Sequence, residues 1–284
     1  MAPNRENTRY PYKIIFSDID GTLLNSSHQV TEGTRRELLR LEQNGVPFVL
    51  VSARMREAMV TIRNQIGIHA PMVCYSGGLI YDAEDRVLYS CLMDLRQAVS
   101  IKEMLERDFP DVCCNTYGYK KWVVDDRSNP WVRREEEITC ICAENGDMRQ
   151  VFAPRGGIHK FLLMGEPDRI LLVEQRIKAD HPDLSVAAST PNYLEVMDGK
   201  VKKSAGLHFL CKALGIAPEE AIAFGDGCND IDMLQAAGNS YAMANAPQAV
   251  RDSAAHVTLD NDHEGLLAAL KENFPQGNEG DPDR

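Results

Sequence analysis

Residues 13–25 read KIIFSDIDGTLLN, and this run constrains the fold more than any other in the chain. Lys13 to Phe16 form a short, mainly apolar, strand-like segment, and two carboxylates, Asp18 and Asp20, follow at once. An acidic pair at the end of a buried strand is costly unless a cation stands beside it. In an extended backbone, residues i and i+2 point to the same side. Asp18 and Asp20 are therefore expected to converge on one small volume, roughly 6–7 Å apart along the chain. Gly21 lets the backbone turn and leaves N–H groups near the carboxylates. With Thr22 following, the arrangement suits a hard cation and a phosphate held together. A D-x-D pair alone commonly marks no more than a strand ending in a turn. The strand, the pair and the G-T-L after it form a much more specific pattern.

The chain around this run alternates strand and helix. Thr31 to Asn44 carries Leu38, Leu39 and Leu41 at helical spacing and stops at Gly45. Val46 to Val51 is a continuous apolar run, the pattern of a strand buried on both faces in a parallel sheet. Arg56 to Ile66 reads as a helix ending at Gly67, and Met72 to Tyr75 as a strand ending in Ser76-Gly77-Gly78. This succession predicts a doubly wound α/β domain with a mainly parallel sheet. From residue 85 to 196 the character changes. Strands are expected at 86–93, 111–124 (broken at Tyr117-Gly118), 158–164, 184–188 and 192–197, and helices at 95–109, 130–138 and 167–179. That mixture reads as an inserted α+β unit, with residues 1–84 and 197–284 making the flanking domain. The earlier rhythm returns with a helix at 204–214, a strand at 221–224 and a helix from Asp230 to Ala237. Asn245-Ala246-Pro247 reads as the N-cap and first-turn proline of a further helix.

With 284 residues, 44% of them hydrophobic, a sizeable core is expected. A net charge of −11 disfavours a general nucleic-acid binder. It does not exclude a phosphorylated substrate, because a metal and a lysine reverse the field locally. None of the eight cysteines forms a C-x-x-C, and neither Cys113-Cys114 nor Cys140-x-Cys142 has the spacing of a common zinc site. Reduced thiols in the cytoplasm are expected. The start, MAPNRENTRYPYK, holds no apolar signal region, and no apolar run reaches membrane-spanning length. Pro275 to Arg284 is rich in Pro, Gly and Asp and is expected to fray.

Ligands of open α/β sheets bind beyond the carboxyl ends of the strands. After Val46–Val51 comes Ser52-Ala53-Arg54, whose hydroxyl can bond a phosphate oxygen. After Ala221–Phe224 comes GDGCND. Asp230 suits a cap of the next helix, whereas Asp226 stands before the cap position and needs another role. Lys200, Lys202 and Lys203 precede a helix. Asp18, Asp20, Asp226 and Asp230 at one sheet edge would repel a phosphate unless cations intervene; a divalent metal and one lysine answer this. All-oxygen ligands favour Mg²⁺ over zinc or copper.

Taken in order, FSDIDGTLL, VSAR, KVKKSAGL and FGDGCND resemble the four motifs of the haloacid dehalogenase (HAD) superfamily of phosphatases, over nearly the whole chain. The insert between the second motif and the lysine segment resembles the α/β cap of the Cof-type subfamily, as does YAMANAPQAVRDSA after the fourth. The resemblance implies a Rossmann-like core with an inserted cap. It implies Mg²⁺-dependent hydrolysis of small phosphorylated metabolites, sugar phosphates among them. It makes Asp18 the nucleophile that forms an aspartyl-phosphate; Asp20 protonates the leaving oxygen and then activates water. It assigns Gly21, Thr22, Ser52, Ala53, Lys203 and Asn229 to the phosphate site. The Asp18 carboxylate, the Asp20 backbone carbonyl and Asp226 would hold the metal, with Asp230 behind them. The sequence departs from the family pattern at Ala53, Ser76, Ser204 and Cys228. Ser204 stands where a glycine usually follows the lysine, so Lys203 is preferred over Lys202 on alignment alone. A phosphomutase of related architecture stays open. So does a catalytically idle ligand-binding module, although the intact Asp18, Asp20, Ser52, Lys203 and Asp226 argue against it. Tyr117, Tyr119, Lys120 and Trp122 suit either a ligand-facing patch or an ordinary cross-strand hairpin.

Overall fold

In the computed structural model, which describes residues 10–276, the apolar runs meet in one eight-stranded sheet. Ile14–Asp18 lies inside it, buried throughout, parallel to Phe48–Val51 on one side and Ala221–Gly225 on the other. Asn239–Ala242 and His256–Val257 extend the parallel part beyond Ala221–Gly225, and Met72–Cys74 extends it beyond Phe48–Val51. Leu79–Tyr81 and Val87–Ser90 then add an antiparallel edge. Parallel neighbours need crossovers, and helices supply them on both faces. Ile15, Leu50 and Phe224 pack into one apolar core with Leu38 and Ile62. Ile14, Phe16 and Val49 pack into the opposite one with Leu207 and Met233. Adjacent residues of one strand thus enter different cores, which is why these strands are apolar at every position.

Local signals set the helix ends. The Thr31 hydroxyl accepts from Thr34 N (3.1 Å) at the start of Glu32–Gln43. Gly67, at φ 86°, closes Arg56–Ile66. Several expectations shift. The strands expected at 86–93 and 158–164 each divide, into Val87–Ser90 and Met93–Asp94 and into Gly157–Ile158 and Lys160–Met164. Two more changes lie beside the loops that follow Asp18 and Gly225. The first strand runs from Ile14 to Asp18 rather than Lys13 to Phe16, because Ser17 and Asp18 continue the ladder opposite Leu50 and Val51. The expected Asp230–Ala237 helix divides into a 3₁₀ turn, Cys228–Asp230, and a helix, Ile231–Ala236.

A six-stranded sheet forms the second layer system, in the order Leu184–Thr190, Tyr193–Asp198, Lys160–Met164, Cys113–Gly118, Lys121–Val124, Glu144–Asn145. Leu95–Asp108 and Pro167–Asp180 pack on it through Ile101, Phe161, Leu163 and Ile177. The molecule is a doubly wound α/β core carrying an α+β cap. The chain leaves the first sheet after Ser90 and covers it again with Lys203–Leu214. A cut at residue 85 falls inside a hairpin, because Val87–Ser90 pairs with Leu79–Tyr81. At the other end, Tyr193–Asp198 keeps the cap sheet going past residue 196. Among the described residues no helix is long and apolar enough to cross a membrane. Residues 1–9 of the polar start, and 277–284 of the tail, lie outside the described residues.

Candidate active site

Asp18 is the last residue of its strand and is 8% exposed. The neighbouring strand ends at Gly225, so the GDGCND loop rises beside it. Lys203, at the start of its helix, is 1% exposed and sits between the two. Its ammonium donates to Asp18 Oδ1 and, at 2.6 Å, to Asp230 Oδ1. Lys202 is exposed, so the geometry separates two lysines that sequence spacing could not. Asp230 Oδ2 accepts from Asp226 N (3.0 Å) and Gly227 N (2.8 Å). Asp230 therefore anchors the lysine through Oδ1 and shapes the loop through Oδ2.

The first loop is laced to the fourth. Thr22 Oγ1 donates to Asp226 Oδ1 at 2.7 Å, so its hydroxyl faces Asp226. Gly21 has φ +80°, and a Cβ there would come within 2.3 Å of Asp226 Oδ2. Only glycine accepts both the backbone angle and the close approach. Asn245 Nδ2 donates to Gly21 O at 2.9 Å and lies 3.4 Å from Asp226 Oδ2. This corrects the reading of Asn245 as a helix cap: Pro247 precedes the short helix Gln248–Arg251, and the Asn245 side chain belongs to the site.

Carboxylate oxygens of Asp18, Asp226 and Asp230 lie within 4.8 Å of one another. One ammonium against three carboxylates leaves an excess of negative charge. Burial raises the Asp18 carboxyl well above the usual range; Lys203 opposes this, while Asp230 and Asp226 add to it. Burial also lifts Asp226 to about 6, against the Thr22 hydrogen bond. Lys203 loses solvation too, but the pull of Asp18 and Asp230 outweighs it and holds the proton on. A charge-deficient, all-oxygen donor set fits a hard divalent cation. Asp18 and Asp226 are the carboxylates suited to hold it, since Asp230 is already engaged.

Asp20 stands outside this group. Its carboxylate, 45% exposed, is forked by Arg54, with Nε to Oδ2 and Nη2 to Oδ1 both at 2.7 Å. The strand ends at Asp18, so Asp20 stands just beyond the sheet, outside the tight Asp18–Asp226–Asp230 group but close enough for its charge to act on Asp226.

Ser52 is 2% exposed, and its Oγ accepts from Arg54 N at 3.1 Å. Asp20, Ser52, Ala53 and Arg54 line one wall of a cavity of about 470 Å³. The facing wall comes from the cap and includes Tyr117, Trp122, Glu135, Lys160, Tyr193 and Glu195. Lys160 Nζ crosses to Ala53 O at 2.9 Å, and Tyr75 Oη donates to Tyr119 O at 3.0 Å. Asn229 and Cys228 are exposed on the fourth loop, away from the cavity lining. Of the four candidate cap residues, Tyr117 and Trp122 face the cavity, stacked at 5.4 Å. The indole N–H is held by Asn115 Oδ1 at 2.9 Å. Lys120 is exposed, and Tyr119 packs edge-on against His159.

Sequence reasoning missed Arg54, Asn245, Glu135, Lys160 and Glu195. Arg54 alone had a signal, its place directly after Ser52-Ala53.

A family model described as haloacid dehalogenase-like hydrolase matches residues 15–270. A Haemophilus influenzae protein with a provisional phosphatase name is 34% identical over 265 residues, covering 93% of this chain and 99% of the relative. Phosphatase YwpJ of Bacillus subtilis is 27% identical over 288 residues, covering 91% and 99%. Among solved structures, a haloacid dehalogenase-like hydrolase from Bacteroides thetaiotaomicron superposes with a TM-score of 0.85. It is 27% identical, over 93% of this chain and 100% of that one.

Proposed function

Because this chain belongs to the haloacid dehalogenase-like hydrolases and is a phosphatase, we propose that it hydrolyses small phosphorylated metabolites, sugar phosphates foremost, through an aspartyl-phosphate on Asp18. An Asp18 carboxylate oxygen bonds to phosphorus as the bond to the leaving oxygen breaks. Asp20, at the cavity edge, gives a proton to that oxygen. It then takes one from water, which attacks phosphorus, frees inorganic phosphate and restores Asp18. Lys203 and the Ser52 hydroxyl receive the phosphoryl oxygens; Asn229, exposed on the fourth loop, would join them only by turning inward. The backbone around Gly21, Thr22 and Ala53 lines the phosphate. Lys203 is already fixed by Asp18 and Asp230, so little reorganisation accompanies charge development.

Asp18 and Asp226, with the Asp20 backbone carbonyl, would hold Mg²⁺, which when bound supplies positive charge against the phosphoryl oxygens. The six-stranded unit serves as the cap, excluding water and choosing the leaving group. Residues 1–84 and 197–284, with the Val87–Ser90 strand added, carry the chemistry. The eight unpaired cysteines support a reducing, cytoplasmic setting.

The buried Lys203 bridging Asp18 and Asp230, whose carboxylates gather with that of Asp226, carries this reading. The test is phosphate release from a panel of phosphorylated metabolites, with Mg²⁺ present, by the native chain and Asp18→Asn. Release by the native chain alone is expected. Equal turnover by a folded Asp18→Asn protein would sink the mechanism. Phosphoryl transfer to a second sugar without phosphate release would reassign it as a phosphomutase.

A further inference from the structure

The cap wall of the cavity contains a polar group that the chemistry above leaves unexplained. Lys160 is 6% exposed, yet its ammonium has three donors and makes one hydrogen bond, to Ala53 O at 2.9 Å. Glu195 Oε1 is 3.7 Å away, an ion pair beyond hydrogen-bond length. The Tyr117 ring centroid is 5.4 Å from Nζ. All three residues line the cavity, together with Glu135 and Tyr193. The Tyr193 hydroxyl is buried and lacks a hydrogen bond of normal geometry. A buried ammonium with donors to spare, in a cavity that opens on Asp20 and Ser52, needs an acceptor from a ligand.

The acceptor must also satisfy its neighbours. Ionised Glu135 and Glu195 offer acceptors only. A hydroxyl accepts from Lys160 and donates to a glutamate at the same time. A second phosphate would accept from Lys160 but bring its charge against two carboxylates. Of the other cavity cations, Arg54 is already shared between its fork on Asp20 and the pull on Glu135, and Arg134 is exposed and screened by solvent, so neither is left to hold a second phosphate. Burial raises the Glu135 carboxyl, Lys160 and Arg54 oppose it, and Glu195 reinforces it, so the acids already repel each other. The stacked Tyr117 and Trp122 rings give an apolar floor suited to the C–H face of a polyol.

We propose that Lys160, Glu135 and Glu195 form a hydroxyl-reading subsite for the leaving group, which favours polyhydroxylated monophosphates and rejects esters carrying a second phosphate. This rests on the phosphatase mechanism above, since the subsite acts on whatever Asp18 dephosphorylates. These are specificity residues; none of them touches the reacting phosphorus.

The test uses the full chain with Mg²⁺ and compares kcat/KM for a hexitol 6-phosphate and a hexose 1,6-bisphosphate, with p-nitrophenyl phosphate as a check on active enzyme. The native chain should prefer the monophosphate by about tenfold or more. Glu195→Gln and Glu135→Gln keep shape and remove charge, and each should cut that preference about tenfold, mainly through KM. Glu103→Gln, exposed on helix Leu95–Asp108 and off the cavity, should leave it intact. Calorimetric binding of both esters to Asp18→Asn protein should give the same ranking without turnover. An unchanged preference in both cap variants, with hydrolysis continuing, overturns the subsite alone. Failure of the native chain to hydrolyse any of the three esters overturns the mechanism, and the subsite with it.

Discussion

Lowering the pH should destabilise the core–cap junction through one histidine. His159 has no solvent exposure and sits where the two units meet. Its Nδ1 accepts from Tyr119 N at 3.0 Å, which assigns the proton of the neutral ring to Nε2, 3.1 Å from the Ser90 hydroxyl. Tyr75 stacks on the ring at 5.1 Å, and Tyr119 meets it edge-on at 4.8 Å. A second proton would have to enter at Nδ1, against an N–H already pointing there. Burial accordingly pulls the imidazolium from the ordinary 6.5 down to about 3. The folded pKa is the depressed one, so the unfolded chain takes up the proton first. The stabilisation is complete above about pH 6.5 and is lost as the pH falls below it, at about 1.4 kcal/mol per unit. At about pH 5 the loss reaches about 2 kcal/mol. His159→Gln removes the titration, and its own packing penalty is independent of pH. Urea unfolding of both proteins at about pH 7.5 and about pH 5 should show the native advantage shrinking by about 2 kcal/mol. An advantage unchanged between the two conditions would refute the argument that His159 is held neutral by the fold.

Asp18→Asn should lower turnover by about three orders of magnitude or more while far-UV circular dichroism stays native. At φ +80° an alanine Cβ at position 21 would fall 2.3 Å from Asp226 Oδ2, so Gly21→Ala must displace the Asp226 carboxylate. It should cut kcat by about tenfold or more and cost at least about 1 kcal/mol in thermal unfolding. An alanine variant with native activity would show that the Gly21–Asp226 approach is dispensable. Chelation should abolish phosphate release and Mg²⁺ restore it, and zinc outperforming Mg²⁺ would count against the oxygen-donor argument. Asn245→Ala frees Gly21 O and loosens the contact with Asp226. Its activity should fall about threefold to tenfold, with the Mg²⁺ concentration for half-maximal rate rising.

The sequence by itself determined the architecture of the core. Continuous apolar runs such as Phe48–Val51 can be satisfied only between two helical layers, and Gly67 and Thr31 mark helix ends through purely local chemistry. It also placed Asp18, Ser52, Lys203 and Asp226 near strand or helix ends, because ligands of such sheets collect there. Tertiary structure decided what could not be read locally. Lys202 and Lys203 have the same chemistry, and only the packing of their helix buries one against Asp18 and exposes the other. Asp20 follows the i, i+2 pattern of a strand, but the backbone leaves the sheet at Asp18 and its carboxylate finds Arg54. Asn245 has the sequence context of a helix cap, and a chain segment more than two hundred residues away takes its amide instead. Glu135, Lys160 and Glu195 are ordinary charged residues along the sequence. They meet on one wall of a cavity only because helix Pro130–Thr139 and two antiparallel strands are assembled over the catalytic loops, and contact between distant segments leaves no periodicity to read.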